Sequence, residues 1–269
     1  MSVKINGIEF GNELFPNNER IFKSLPWQIC AQNFIRVDFK YETDFDIWKL
    51  IVAKKYLDDK FNGTIIVLNM LYVPYSRMDR EIEGYTFSLK YFCDLINSLN
   101  FHQVKVLDTH SNVTEALINH LYKINVQDFV DKVIEKENSN YVFYPDSGAL
   151  KRYSETIKLP ENIGIFYGNK QRDLSTGKIL KFELINCPED IKDKNVLIVD
   201  DLCSKGGTFI ASAELIKNAG AKRVCLYVSH CEDSIFDGKI LKTDFIDMVY
   251  TSNSINRSGS SEKIYEFCI

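Results

Sequence analysis

The chain has 269 residues, of which 45% are apolar and 26% charged, with a formal net charge of -4. That length supports one large domain or two small ones around cores that need no disulfide, and the charge balance excludes a general polyanion-binding surface. The longest apolar stretch, IIVLNMLYVP, is too short to span a bilayer. The seven cysteines show no CxxC spacing and read as reduced thiols. The N-terminal MSVKINGIEFGNELF lacks the basic-then-apolar order of a signal peptide. The expectation is a cytoplasmic protein with neither nucleic-acid nor membrane partners.

In chain order, short apolar runs alternate with amphipathic segments. Ile65 to Leu71 and Val104 to Asp108 read as buried strands. Between them, Leu89, Phe92, Ile96 and Leu99 recur at helical spacing. Tyr141 to Asp146, Ile163 to Gly168, Val196 to Asp201 and Val224 to His230 read as four more strands. Phe209, Ala213 and Ile216 form a second helical stripe, which Gly220 ends. The alternation predicts an α/β fold with mostly parallel sheets covered on both faces. The polar stretch Glu135 to Asn140 suggests a boundary between domains spanning 1–138 and 139–269, and Arg257 to Lys263 reads as an exposed loop. Several strands end in polar clusters, and open α/β sheets bind ligands beyond the carboxyl ends of their strands.

The densest of these clusters is VLIVDDLCSKGGT, where four apolar residues lead into Asp200 and Asp201 and then into Ser204, Lys205, Gly206, Gly207 and Thr208. Glycines between a strand and a helix let successive N–H groups turn toward an anion, and the helix N-terminus and Lys205 add positive charge. No GxxxxGK[ST] loop is present. The paired carboxylates suit vicinal hydroxyls or a metal. Their position directly after four apolar residues favours this over a simple helix cap.

This stretch resembles the phosphoribosyl-diphosphate (PRPP) motif shared by phosphoribosyltransferases and PRPP synthetases, the ribose-phosphate pyrophosphokinases. Four further stretches resemble the synthetases in the family's order, together with a flag segment. Leu71 to Glu81, LYVPYSRMDRE, is similar to the ATP segment and implies nucleotide roles for Arg77, Met78 and Asp79, with Ser76 and Met78 departing from the usual residues. FPNNE resembles the flag that reaches a neighbouring subunit's ATP site, which implies that Phe15 stacks on adenine while Asn17 and Glu19 read its edge; Asn18 replaces the family's glycine. VLDTHS resembles the segment whose histidine ligates magnesium, here His110. YPDSGALKR resembles the pyrophosphate loop, with Asp146 as a second metal-linked acid and Ser147, Gly148 and Ala149 offering amides. YGNKQRD resembles the flexible catalytic loop, with Lys170 and Arg172 as its basic pair.

The resemblance implies two tandem phosphoribosyltransferase-type, Rossmann-like domains with the active site between them. It further implies ATP as co-substrate, Mg2+ as cofactor and a homodimer or homohexamer. The implied reaction moves the β,γ-diphosphate of ATP to the anomeric hydroxyl of ribose 5-phosphate. The Ser204–Lys205 pair, where ordinary members carry an aspartate and no lysine, keeps open an extended acceptor such as ADP-ribose, whose diphosphorylated product would serve NAD salvage. A phosphoribosyltransferase that consumes PRPP would need neither the Arg77 segment nor the flag. A non-catalytic homologue would be expected to lose Lys170, Arg172, His110 or Asp146, all of which are present.

Overall fold

The computed structural model describes residues 2–26, 34–172 and 179–269, with the side chains of 170–172 and 179–181 left undescribed. The chain divides into two compact units, Met1–Ile124 and Asn125–Ile269. Among the described residues no helix is long and apolar enough to cross a membrane.

The first unit is built on a six-stranded sheet in the order β2-β1-β5-β6-β7-β8. Its strands are β1 (Val3–Ile5), β2 (Ile8–Glu9), β5 (Phe34–Phe39), β6 (Ile65–Asn69), β7 (Gln103–Leu107) and β8 (Leu121–Ile124). From β5 to β8 neighbouring strands run parallel, while β1 pairs antiparallel with β5 and β2. A separate hairpin joins β3 (Asn12–Leu14) and β4 (Arg20–Phe22). Helix α1 (Asp44–Lys60) begins where the Asp46 carboxylate accepts the Thr43 N–H at 2.8 Å, and it buries Leu50, Ala53 and Leu57. The predicted stripe Leu89, Phe92, Ile96 and Leu99 is buried along α2 (Ser88–Ser98) and its C-cap. Helix α3 (Asn112–Leu117) follows β7.

The second unit holds a seven-stranded sheet in the order β11-β10-β9-β12-β13-β14-β15. These are β9 (Tyr141–Tyr144), β10 (Gly164–Arg172), β11 (Ile179–Ile185), β12 (Asn195–Cys203), β13 (Arg223–Cys231), β14 (Met248–Ser252) and β15 (Ile264–Phe267). All neighbours are parallel except β10 and β11. Helices α4 (Gln127–Glu137), α5 (Ser147–Thr156) and α6 (Gly207–Asn218) complete the unit, with a 3-10 turn at Asp233–Asp237. The central strands carry Val142, Phe143, Leu197, Ile198, Leu226 and Tyr227 with no exposed surface, which is why they read as continuous apolar runs.

The division falls after Ile124, upstream of the break expected after 138. The polar stretch at 135–140 is a helix terminus, with Asn138 in the left-handed C-cap at φ 47°. Helix α4 is tied to the second sheet. Glu137 accepts from Arg223 Nε at 2.5 Å and from the Tyr250 hydroxyl, and Asn195 Nδ2 donates to the Glu137 carbonyl at 2.8 Å. A second difference concerns 167–173, expected as a loop. The backbone through Arg172 instead continues β10 and pairs antiparallel with β11, with a register shift between Gln171 and Arg172. The loop at 257–263 is exposed at Ser258 and Gly259 but anchored, because Ser258 N–H and Oγ both donate to Asp233 at 2.7 Å.

Candidate active site

In the second unit the chain leaves β9 through α5 toward β10 on one side, and leaves β12 through α6 toward β13 on the other. The carboxyl ends of β9 and β12 therefore flank the point where the strand order reverses, the place an open α/β sheet offers a ligand. The predicted pyrophosphate and acidic segments both lie there.

Beyond β9, Asp146 is the N-cap of α5, and its Oδ1 accepts the Ala149 N–H at 2.9 Å. Ser147, Gly148 and Ala149 form the first helical turn, whose amides lack intrahelical acceptors and carry the positive end of the helix dipole. Beyond them on the same helix, Arg152 Nη2 donates to Asp200 Oδ1 at 3.0 Å and to Asp201 Oδ1 at 2.9 Å. Both acids are well shielded from water, Asp201 the more so. Burial pushes the Asp200 carboxyl up, and the Asp201 and Asp146 charges add to the shift while Arg152 opposes it. The partners of Arg152 lie 48 and 49 residues away along the chain, so no local spacing signals its role.

The glycine loop follows. Gly206 takes φ 79° at the N-cap of α6, and a Cβ there would approach Ile240 Cδ1 to 2.7 Å. A Cβ on Gly207 would meet nothing within 4 Å, so the backbone faces open space. No side chain caps this helix, a setting suited to an anion on its first-turn amides. Ser204 Oγ lies 2.9 Å from Ser234 Oγ, on the 3-10 turn, and Lys205 is exposed. Thr208 is the second residue of the helix, and its carbonyl accepts from Ser212 Oγ at 2.9 Å. Phe209, Ala213 and Ile216 bury the opposite face.

In the first unit, two predicted segments follow adjacent parallel strands. After β6, Tyr75 adopts φ 61° and its carbonyl accepts the Met78 N–H at 2.8 Å, while the Met78 carbonyl accepts the Leu89 N–H at 3.3 Å. Within this turn Ser76 is buried, Arg77 exposed, and Met78 and Asp79 half-buried. After β7, Asp108 is buried at φ 41° and His110 is half-buried ahead of α3. The Leu107 N–H donates to the Leu71 carbonyl at 2.9 Å, which ties the two segments together.

The β3–β4 hairpin carries the predicted flag. Pro16 and Asn17 form its turn, the Asn18 N–H donates to the Phe15 carbonyl at 2.9 Å, and Asn17 Oδ1 accepts the Glu19 N–H at 3.2 Å. Asn18 takes φ 66°, the left-handed conformation that glycine or asparagine supplies. Phe15 is 48% exposed. Arg20 lies over the Phe45 ring at 3.9 Å and anchors the base.

The side chains of Lys170 and Arg172 lie outside the described residues. His110 belongs to the first unit and Asp146 to the second. Among the described residues no group of three or more His, Cys, Asp or Glu side chains is placed to hold an ion by itself. The charges of Asp201 and Asp146 are felt at Asp200, and carboxylate oxygens are the hard donors that magnesium takes together with waters and substrate phosphates.

The Phosphoribosyl transferase domain family matches residues 113–258, more than half of the chain. A ribose-phosphate pyrophosphokinase of Sulfolobus acidocaldarius is 26% identical over 96% of this chain and 89% of its own length. One from Aquifex aeolicus is 32% identical over 68% of this chain and 59% of its own length. The crystal structure of the phosphoribosylpyrophosphate synthetase from Mycobacterium smegmatis matches the fold with a TM-score of 0.74, at 16% identity, over 96% of this chain and 85% of that one.

Proposed function

The chain belongs to the ribose-phosphate pyrophosphokinase family of diphosphotransferases, and from that premise we propose that it transfers the β,γ-diphosphate of ATP to the anomeric hydroxyl of ribose 5-phosphate. The observation that carries this reading is the pair Asp200 and Asp201, held by Arg152 at the switch point beside the uncapped start of α6. The acids accept the ribose hydroxyls, and the amides of Gly206 to Thr208 receive the 5-phosphate. Arg77, Met78 and Asp79, with Phe15, Asn17 and Glu19 of a neighbouring copy, hold the nucleotide.

The anomeric hydroxyl gives its proton to solvent as its oxygen forms a bond to the β-phosphorus, the bond from that phosphorus to the α,β-bridging oxygen breaks, and AMP leaves with the bridging electron pair. Little covalent work falls to the protein in such a transfer, so positioning and charge neutralisation dominate. Lys170 and Arg172 neutralise the bridging oxygen as charge develops on it. His110 in the first unit and Asp146 in the second are each proposed as Mg2+ ligands; the ion, when bound, would supply further neutralisation of the phosphate oxygens. The first-turn amides of Ser147 and Gly148 receive the diphosphate, while that of Ala149 is held by Asp146. The free thiols of the described cysteines suit a reducing cytoplasm.

Protein incubated with ATP, Mg2+ and ribose 5-phosphate is expected to release AMP and PRPP in equal amounts. PRPP consumption with a nucleobase, and no AMP release, would instead identify a phosphoribosyltransferase.

One observation favours a second acceptor. Ser204 is engaged by Ser234, and Lys205 is exposed where ordinary members have no lysine, so the loop gains positive charge next to the acceptor's phosphate. That suits an esterified, outward-extending phosphate such as that of ADP-ribose. Equal ribose 5-phosphate and ADP-ribose competing for limiting ATP, with products resolved by mass, decides between them. A hundredfold preference corresponds to about 2.7 kcal/mol of differential transition-state binding.

A further inference from the structure

Tyr75 is the one bulky aromatic side chain among the described positive-φ residues, where asparagine and aspartate predominate. A tyrosine in the left-handed region is an outlier that persists only when its surroundings over-determine it. Here they do. The Tyr75 hydroxyl donates to Asp44 Oδ1 at 2.5 Å, and the Tyr41 hydroxyl donates to the same oxygen at 2.7 Å. The Tyr75 ring packs against Tyr41 at 5.8 Å and against Phe92 of α2 at 5.6 Å between centroids. Burial pushes both phenols up, with the Asp44 bonds adding to the shift, so both remain donors. Asp44 is the first residue of α1, and the helix start favours its negative charge.

The held residue lies two positions before Arg77, and its carbonyl closes the turn through the Met78 N–H. Ser76, between them, is only 4% exposed. The backbone leading to Arg77 is thus pinned on both sides, while the Arg77 side chain projects outward.

We propose that Asp44 and Tyr41 are positioning residues for the nucleotide: they lock Tyr75 in its left-handed turn and so aim Arg77 at ATP, without touching the nucleotide themselves. The inference rests on the reading of the Arg77 segment as an ATP site.

A double-mutant cycle tests it. Tyr75→Phe, which keeps both ring contacts, is expected to raise the KM for ATP about tenfold by misplacing Arg77. The KM for the sugar phosphate and the melting temperature stay near their starting values. Asp44→Ala behaves like Tyr75→Phe, whereas Asp44→Asn, which keeps an oxygen acceptor, recovers most of the ATP affinity. In an Arg77→Ala background, Tyr75→Phe adds little, because both changes remove the same contact. Additive effects on the KM for ATP, or a KM that responds to Arg77→Ala but not to Tyr75→Phe, overturn the inference alone. Indifference of the KM to Arg77→Ala removes the nucleotide assignment and the inference with it. A loss shared equally by both substrates and by thermal stability marks Tyr75 as merely structural.

Discussion

At the scale of single residues, the proposed site rests on Asp200 and Asp201. Their charges lie close together and shielded, and Arg152 makes that arrangement tenable. Because burial and the neighbouring carboxylates hold Asp200 above the ordinary carboxylate range, its ionised form is lost at a higher pH than usual as the solution is acidified. If the ionised pair binds the sugar, the acid limb of the kcat/KM profile lies above the range of an exposed aspartate. Arg152→Gln removes the positive charge that holds Asp200 down against its neighbours, so the limb moves further up in pH. A profile whose acid limb stays put in Arg152→Gln contradicts this role. Lys170 is the other residue on which the proposed mechanism depends. Lys170→Ala is expected to lower kcat by roughly a hundred- to a thousandfold, about 2.7–4 kcal/mol, with the KM for ATP nearly unchanged in steady-state kinetics.

At the scale of elements, the turns decide whether the site forms. Gly206 combines φ 79° with a Cβ position 2.7 Å from Ile240, so Gly206→Ala strains the backbone and crowds the loop. The expected result is a raised KM for the sugar phosphate with the KM for ATP unchanged. In the flag hairpin, Asn18 tolerates φ 66°, so Asn18→Gly keeps ATP affinity. Asn18→Val is expected to cost about 1–2 kcal/mol locally and to weaken ATP, as read by the same kinetics.

These elements were unevenly legible. The runs at 65–69, 196–199 and 224–228 announce strands because the sheets are covered on both faces. Edge strands such as LYKI at 121–124 and IYEF at 264–267 are only half-buried and carry no such signal. The boundary expected after 138 came from a polar stretch that is the end of α4. The Arg152 contacts, like the Ser204–Ser234 pair, join residues far apart in sequence, so only the fold brings them together.

At the scale of the whole molecule, each unit presents its site segments at the carboxyl ends of a mostly parallel sheet. Phe15 stands exposed on its hairpin, as an aromatic side chain must if it serves a second copy's nucleotide. Activity is therefore expected to fall as the protein is diluted into the monomer, measured by light scattering alongside AMP release; full specific activity in a monomeric sample contradicts the shared site. The central claim is diphosphoryl transfer itself, and phosphorus-31 NMR of the complete reaction reads it directly. The account predicts AMP together with a diphosphate on the anomeric carbon of the sugar. ADP together with a sugar monophosphate ester, formed by transfer of the γ-phosphoryl group alone, would contradict it.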